Sequence, residues 1–157
     1  MKTILCYGDS NTYGYDPRNG GRYPKEVRWT TILQKLLGNE YEVISEGLNG
    51  RTTAYDREDG AWKNGYPYLQ PCIGPHKPVD EIIIMLGTND CNSDLHLSAE
   101  DIAKGLEELI KIVKNETEEM QGFVPEILIV VPAAIKANYM NSPFVYQLDA
   151  DSVKKSH

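Results

Sequence analysis

Thr3-Ile4-Leu5-Cys6-Tyr7-Gly8-Asp9-Ser10-Asn11 runs from an apolar, β-branched and aromatic segment straight into a turn. Such a run reads as a buried strand that delivers a turn at its carboxyl end. In an open α/β sheet, ligands bind in the crevice beyond the carboxyl ends of the strands, so Ser10 stands where a site is expected. Gly, Asp, Ser and Asn are also the ordinary turn formers, and the same residues fit a plain connection. The rest of the chain decides between the two.

Downstream, Asp16 to Lys25 is aperiodic and rich in Gly, Pro, Arg and Asn, as a surface loop beside a site would be. From Glu26 onward Trp29, Ile32, Leu33, Leu36 and Leu37 recur at helical spacing, and Gly38 stands where a left-handed cap is expected. Tyr41 to Glu46 forms a strand around Val43 and Ile44 that ends in Gly47-Leu48-Asn49-Gly50-Arg51-Thr52-Thr53. Ala54 to Pro78 mixes charges, aromatics and prolines, with a short helix expected over Tyr66 to Ile73. Val79 to Leu86, with Ile82, Ile83, Ile84, Met85 and Leu86 consecutive, has the pattern of a strand buried on both faces, and it stops at Gly87-Thr88-Asn89-Asp90.

Ser98, with Asp101 three residues on, caps a helix whose buried stripe is Ile102, Leu106, Leu109, Ile110 and Val113. Lys104, Glu107, Glu108 and Lys111 form its solvated face. Gly122 ends it, and Ile127 to Val131 is a further strand closed by Pro132. Strands alternating with helices of this length describe βαβ units, hence an α/β fold with a parallel sheet and right-handed crossovers. Beyond Ala133 the pattern thins. Pro143-Phe144 reads as a loop anchor, and Asp149 to His157 as the start of a helix with Val153 as its one strongly apolar residue.

A chain of 157 residues suits a single domain over 1–157. Asp and Glu number 23 against 16 Lys and Arg, and the basic residues are scattered, which speaks against nucleic acid and against a polybasic membrane surface. No apolar run is long enough for a bilayer span or a signal-peptide core, so a cytoplasmic protein is expected. Cys6, Cys72 and Cys91 are odd in number and lack Cys-x-x-Cys spacing, so reduced thiols are expected, with neither a disulfide framework nor a zinc site. No metal and no organic cofactor is indicated. Asn115-Glu116-Thr117 matches a glycosylation acceptor but falls inside a helical pattern.

Three parallel strands therefore end in Gly8-Asp9-Ser10, Asn49-Gly50 and Gly87-Thr88-Asn89-Asp90, on one edge of the sheet. Acyl transfer needs a nucleophile, a base and preorganised donors for an oxyanion. Ser10 offers the hydroxyl. The backbone N–H groups of Ser10 and Gly50 and the side-chain amide of Asn89 offer three uncharged donors, and Gly50 lets the backbone approach without a Cβ in the way. Tyr15 is favoured for an acyl or alcohol pocket, Tyr13 for packing on the first helix. Trp29 belongs to the helical core stripe, whereas Trp62 is assigned to neither core nor site. Arg51 suits a carboxylate such as Asp9 or Asp90, or a solvated surface position.

These three motifs, in order from Ile4 to Asp90, resemble those of the GDSL or SGNH hydrolases, and the longer matches around them look like the arylesterase and acyltransferase branch of that family. The resemblance implies a flavodoxin-like three-layer α/β/α fold, Ser10 as nucleophile, Gly50 and Asn89 beside it in the oxyanion hole, and small acyl esters or thioesters as substrates. It also implies an Asp-x-x-His motif after a fifth strand, which this sequence does not contain. The sequence is thus expected to lack the last strand and helix and, as given, to be nearly inactive. His157 is expected on a surface helix, His76 in a loop, and His96 before the Ser98 cap. The open Ile127 to Val131 edge makes homo-oligomerisation an expectation. A carbohydrate-ester deacetylase of the same family, or a catalytically dead module binding a small ligand, are the alternative functions.

Overall fold

A computed structural model describes residues 1–136, 138–141 and 147–157. The core is a parallel four-stranded sheet. Strand β1 spans Lys2–Gly8 and leads into α1, a single turn over Ser10–Tyr13; β2 (Tyr15–Asp16) and β3 (Gly21–Arg22) pair antiparallel as a small separate ribbon. The segment read as an aperiodic loop therefore holds a hairpin, its turn fixed by Asp16, whose carboxylate accepts from the Arg18 backbone and guanidinium. Helix α2 (Trp29–Leu37) is followed by β4 (Tyr41–Gly47), α3 (Gly65–Ile73), β5 (Glu81–Met85), α4 (Ala99–Gln121), β6 (Glu126–Ile129) and α5 (Ala150–Lys155).

The strand order is β4-β1-β5-β6, parallel throughout. After β1 the chain crosses one way to β4 and then returns past β1 to β5. Crossovers of one hand then place the intervening helices on opposite faces. Leu5 and Tyr7 of β1, with Ile82 and Ile84 of β5, pack against Leu69, Cys72 and Ile73 of α3 and Leu109 and Val113 of α4. The alternate residues Ile4, Cys6 and Ile83 face Trp29, Leu33 and Leu37 of α2. Strands buried on both faces explain the unbroken apolar runs, and the architecture is the three-layer α/β/α arrangement expected.

The capping box at Ser98 and Asp101 and the left-handed Gly122 bound α4 as its sequence implies. Thr117, in the acceptor-like triplet, is fully buried within α4. Gly38 does take positive φ (74°), but its ψ of −159° carries the chain out extended instead of through a left-handed cap. The three cysteines are free and buried, and burial pushes the Cys6 and Cys72 thiols to about 12. Pro143-Phe144 lies outside the described residues. Among the described residues no helix is long and apolar enough to cross a membrane.

Candidate active site

The two innermost strands, β1 and β5, mark the point where the strand order reverses, and the crevice at their carboxyl ends is the ligand position of this architecture. The Ser10 turn is built tightly there. A Cβ on Gly8 would sit 2.1 Å from the Thr12 hydroxyl oxygen, and one on Gly47 would sit 2.0 Å from the Tyr13 backbone nitrogen. Helix α1 thus lies directly on the ends of β1 and β4. Asp9 caps it, accepting from the Asn11 N–H at 2.8 Å and the Asn11 side-chain amide at 3.0 Å. Asp9 is wholly buried, and that burial raises its pKa above the usual carboxylate range, with the Asn11 hydrogen bonds pulling it back.

The second and third turns are clamped to the first by buried polar groups. Arg51 is 2% exposed and donates to the Gly8 carbonyl at 3.0 Å and to the Glu46 carbonyl, while its guanidinium lies over the Tyr7 ring at 4.1 Å. It makes no hydrogen bond to Asp9 or Asp90, yet its charge lowers the Asp9 pKa, so it serves that carboxylate through space, and its burial corrects the expectation of a surface position. The Gly8 carbonyl also accepts from the Leu48 N–H at 3.1 Å, so Arg51 adds a second donor there and ties the ends of β1 and β4 together. Asp90 is instead held by Thr53, whose N–H donates at 3.0 Å and whose hydroxyl donates at 2.6 Å. Burial raises the Asp90 pKa against those bonds.

Asn89 donates its amide to the Arg51 carbonyl at 3.0 Å, which fixes its rotamer. The other contact of that amide, to Asp9 at 3.5 Å, is long and weak. Gly50 has φ of +80°, a conformation that disfavours any side chain. Ser10, Tyr15, Gly50 and Asn89 all line one cleft of about 800 Å³. The structure therefore brings together every site residue read from the sequence. Tyr13 lies under the Arg22 guanidinium at 4.1 Å and is not part of the cleft lining. Trp29 packs in the α2 core. Trp62, unassigned before, is exposed on the cleft wall.

Among the described residues no histidine lines the cleft. His76 pairs with Glu46 at 3.0 Å on a turn after α3. His96 takes φ of 51° ahead of the Ser98 cap, and His157 is exposed beyond α5. Arg57, Asp59, Trp62 and Lys63 were missed as site residues. They come from the connection between the Gly50 turn and α3, and its length without regular structure was the available signal.

The sequence matches the GDSL-like lipase/acylhydrolase family over residues 6–151. The chain belongs to that family. It is similar to a carbohydrate acetylesterase family member from Sinorhizobium meliloti, at 44% identity and a TM-score of 0.89, covering 99% of this chain and 73% of that one. It is similar also to the aryl esterase of M. smegmatis, at 36% identity and a TM-score of 0.90, with 99% and 74% covered. An acetylxylan esterase of Xylanibacter ruminicola is 28% identical over 120 residues, which are 72% of this chain but only 22% of that protein. The family is one of lipases and acylhydrolases, and the relatives named above are esterases by description.

Proposed function

We propose that Ser10 is the nucleophile of a serine esterase that acts on small acyl esters, acetyl esters foremost, through an acyl-enzyme. The Ser10 oxygen attacks the ester carbonyl, its proton leaves with the alcohol, and water then releases the acid and restores the hydroxyl. The N–H groups of Ser10 and Gly50 and the second N–H of Asn89 receive the oxyanion. What supports this is the convergence of Ser10, Gly50 and Asn89 on one cleft at the strand-order reversal, in a chain of the GDSL-like family. The relatives named as a carbohydrate acetylesterase and an acetylxylan esterase support an acetyl group as the acyl half.

A serine without a base turns over slowly; removing the histidine of a serine hydrolase costs on the order of 10⁶. With no histidine lining the cleft among the described residues, the 157-residue chain is expected to hydrolyse p-nitrophenyl acetate only weakly. Added imidazole supplies the base from solution. It is expected to accelerate fluorophosphonate labelling, and hydrolysis above the rate of imidazole alone in buffer, in the native sequence, with neither increment in Ser10→Ala. Failure of imidazole to produce any Ser10-dependent labelling in the folded protein would sink this reading.

A further inference from the structure

The protein carries a formal net charge of −7, yet its cleft is positive. The charged residues lining it, among those described, are Arg57, Lys63 and Lys136 against Asp59. We propose that this cleft selects esters bearing a carboxylate, with Arg57 and Lys63 holding the anion beside the Gly50 turn. The inference rests on Ser10 esters being the substrates and adds their charge.

Asp59 does not cancel the positive charge. It accepts from Arg57 Nε at 2.8 Å and from Lys63 Nζ, so one anion is shared by two cations and the trio remains positive. Those two hydrogen bonds hold the Asp59 carboxyl at about 2, so it stays ionised beside them. The Arg57 side chain is 5% exposed, and its Nη1 has no hydrogen-bond partner; Asn92 Nδ2, buried in the lining of the same cleft, has none either. Buried polar groups are nearly always paired, so the unpaired ones lining this cleft, the Arg57 and Asn92 donors together with the Thr88 hydroxyl and the Asn49 amide oxygen, point to a polar ligand that brings partners for them. A guanidinium is the side chain best matched to a carboxylate.

Lys63 sets the distance to the chemistry. Its Cδ lies 3.0 Å and its ammonium 3.5 Å from the point a Gly50 Cβ would occupy. The cation therefore stands against the turn that carries a proposed oxyanion donor. Trp62, exposed on the wall with its ring 5.3 Å from that ammonium, adds a flat apolar face for the body of the substrate. The ligand class is thus an ester with a carboxylate a few bonds from the scissile carbonyl, carried in the alcohol half, as in an acetylated uronic acid, or in the acyl half, as in a dicarboxylic half-ester.

Binding tests this without turnover. Titrations followed by Trp fluorescence and calorimetry compare glucuronate with glucose, and monomethyl succinate with methyl butyrate, in the native sequence. The expected result is a preference of about tenfold for the anion in at least one pair, the low end for a charge-assisted hydrogen bond. The pair that shows it identifies the half that carries the charge. That preference is expected to shrink as salt rises and to be lost in Arg57→Gln and in Lys63→Gln. Because Arg57 is buried, Lys63→Gln and the salt series decide the matter if Arg57→Gln does not fold. Equal binding of charged and neutral probes at low salt, or a preference that survives in Lys63→Gln and at high salt, overturns the proposal. Ser10→Ala keeps the preference if the anion site is real, so loss of the esterase reading and loss of this one are separable.

Discussion

Asn89 is the residue on which the proposed chemistry depends most directly after Ser10. Its amide is anchored by the Arg51 carbonyl at 3.0 Å, while the second N–H has only a 3.5 Å contact with Asp9. An oxyanion arriving in the cleft competes easily for that loosely held hydrogen. Removing one such donor typically costs about 10²–10³ in rate. Asn89→Ala is therefore expected to lower the Ser10-dependent part of imidazole-assisted p-nitrophenyl acetate hydrolysis, above the rate of imidazole alone, by that factor with KM little changed. Asn89→Asp is expected to be at least as damaging, because a carboxylate repels the oxyanion and loses its bond to the Arg51 carbonyl. Retention of the native rate in Asn89→Ala would remove Asn89 from the oxyanion hole.

At the scale of elements, the site exists because α1 sits flush on the end of β4. Gly47 permits this: its missing Cβ would lie 2.0 Å from Tyr13 N and 2.6 Å from Tyr13 Cα, both backbone atoms that no rotamer change can move. Gly47→Ala is expected to lift α1 from the sheet, lowering stability by about 1–3 kcal/mol in denaturant unfolding and slowing fluorophosphonate labelling of Ser10. Labelling and stability at native levels would show that the contact does not position Ser10. The placement of Ser10, Gly50 and Asn89 was legible in the sequence because parallel strands put their carboxyl ends on one edge. The Arg51 and Thr53 clamps were not, since they depend on which carbonyls and carboxylates face one another across three turns. The cleft wall from Arg57 to Lys63 was invisible for a related reason: an aperiodic connection has no pattern that says which way its side chains point, and only packing against Gly50 brings Lys63 to the site.

Across the whole molecule, buried carboxylates and an uncovered sheet edge set behaviour in solution. Asp9 and Asp90 have folded pKa values raised by burial, so the folded state binds their protons more tightly than the unfolded chain. Their contribution to stability is greatest at low pH and falls as pH rises from the ordinary value of about 3.9 through their raised values. Asp59, held at about 2, acts in the opposite direction: its stabilisation is present above the ordinary value and is lost as pH falls toward 2. The stability of Asp90→Asn relative to the native sequence is accordingly expected to improve as pH rises across the Asp90 window, measured by urea unfolding at several pH values. A difference that stays constant with pH would show that Asp90 ionises as freely in the folded state as in the unfolded chain. The edge acts independently of pH. Strand β6 pairs with β5 on one side only among the described residues, and Leu128 is 48% and Val131 78% exposed. A strand with unpaired backbone groups and apolar side chains is a template for another strand. The protein is expected to self-associate as its concentration rises, and Leu128→Lys to shift it toward monomer, because a lysine at this half-exposed position keeps its ammonium in water in the monomer but must be desolvated in a strand-to-strand contact. Sedimentation velocity reads both, and a strictly monomeric native protein at high concentration would rule out β6 as an association edge.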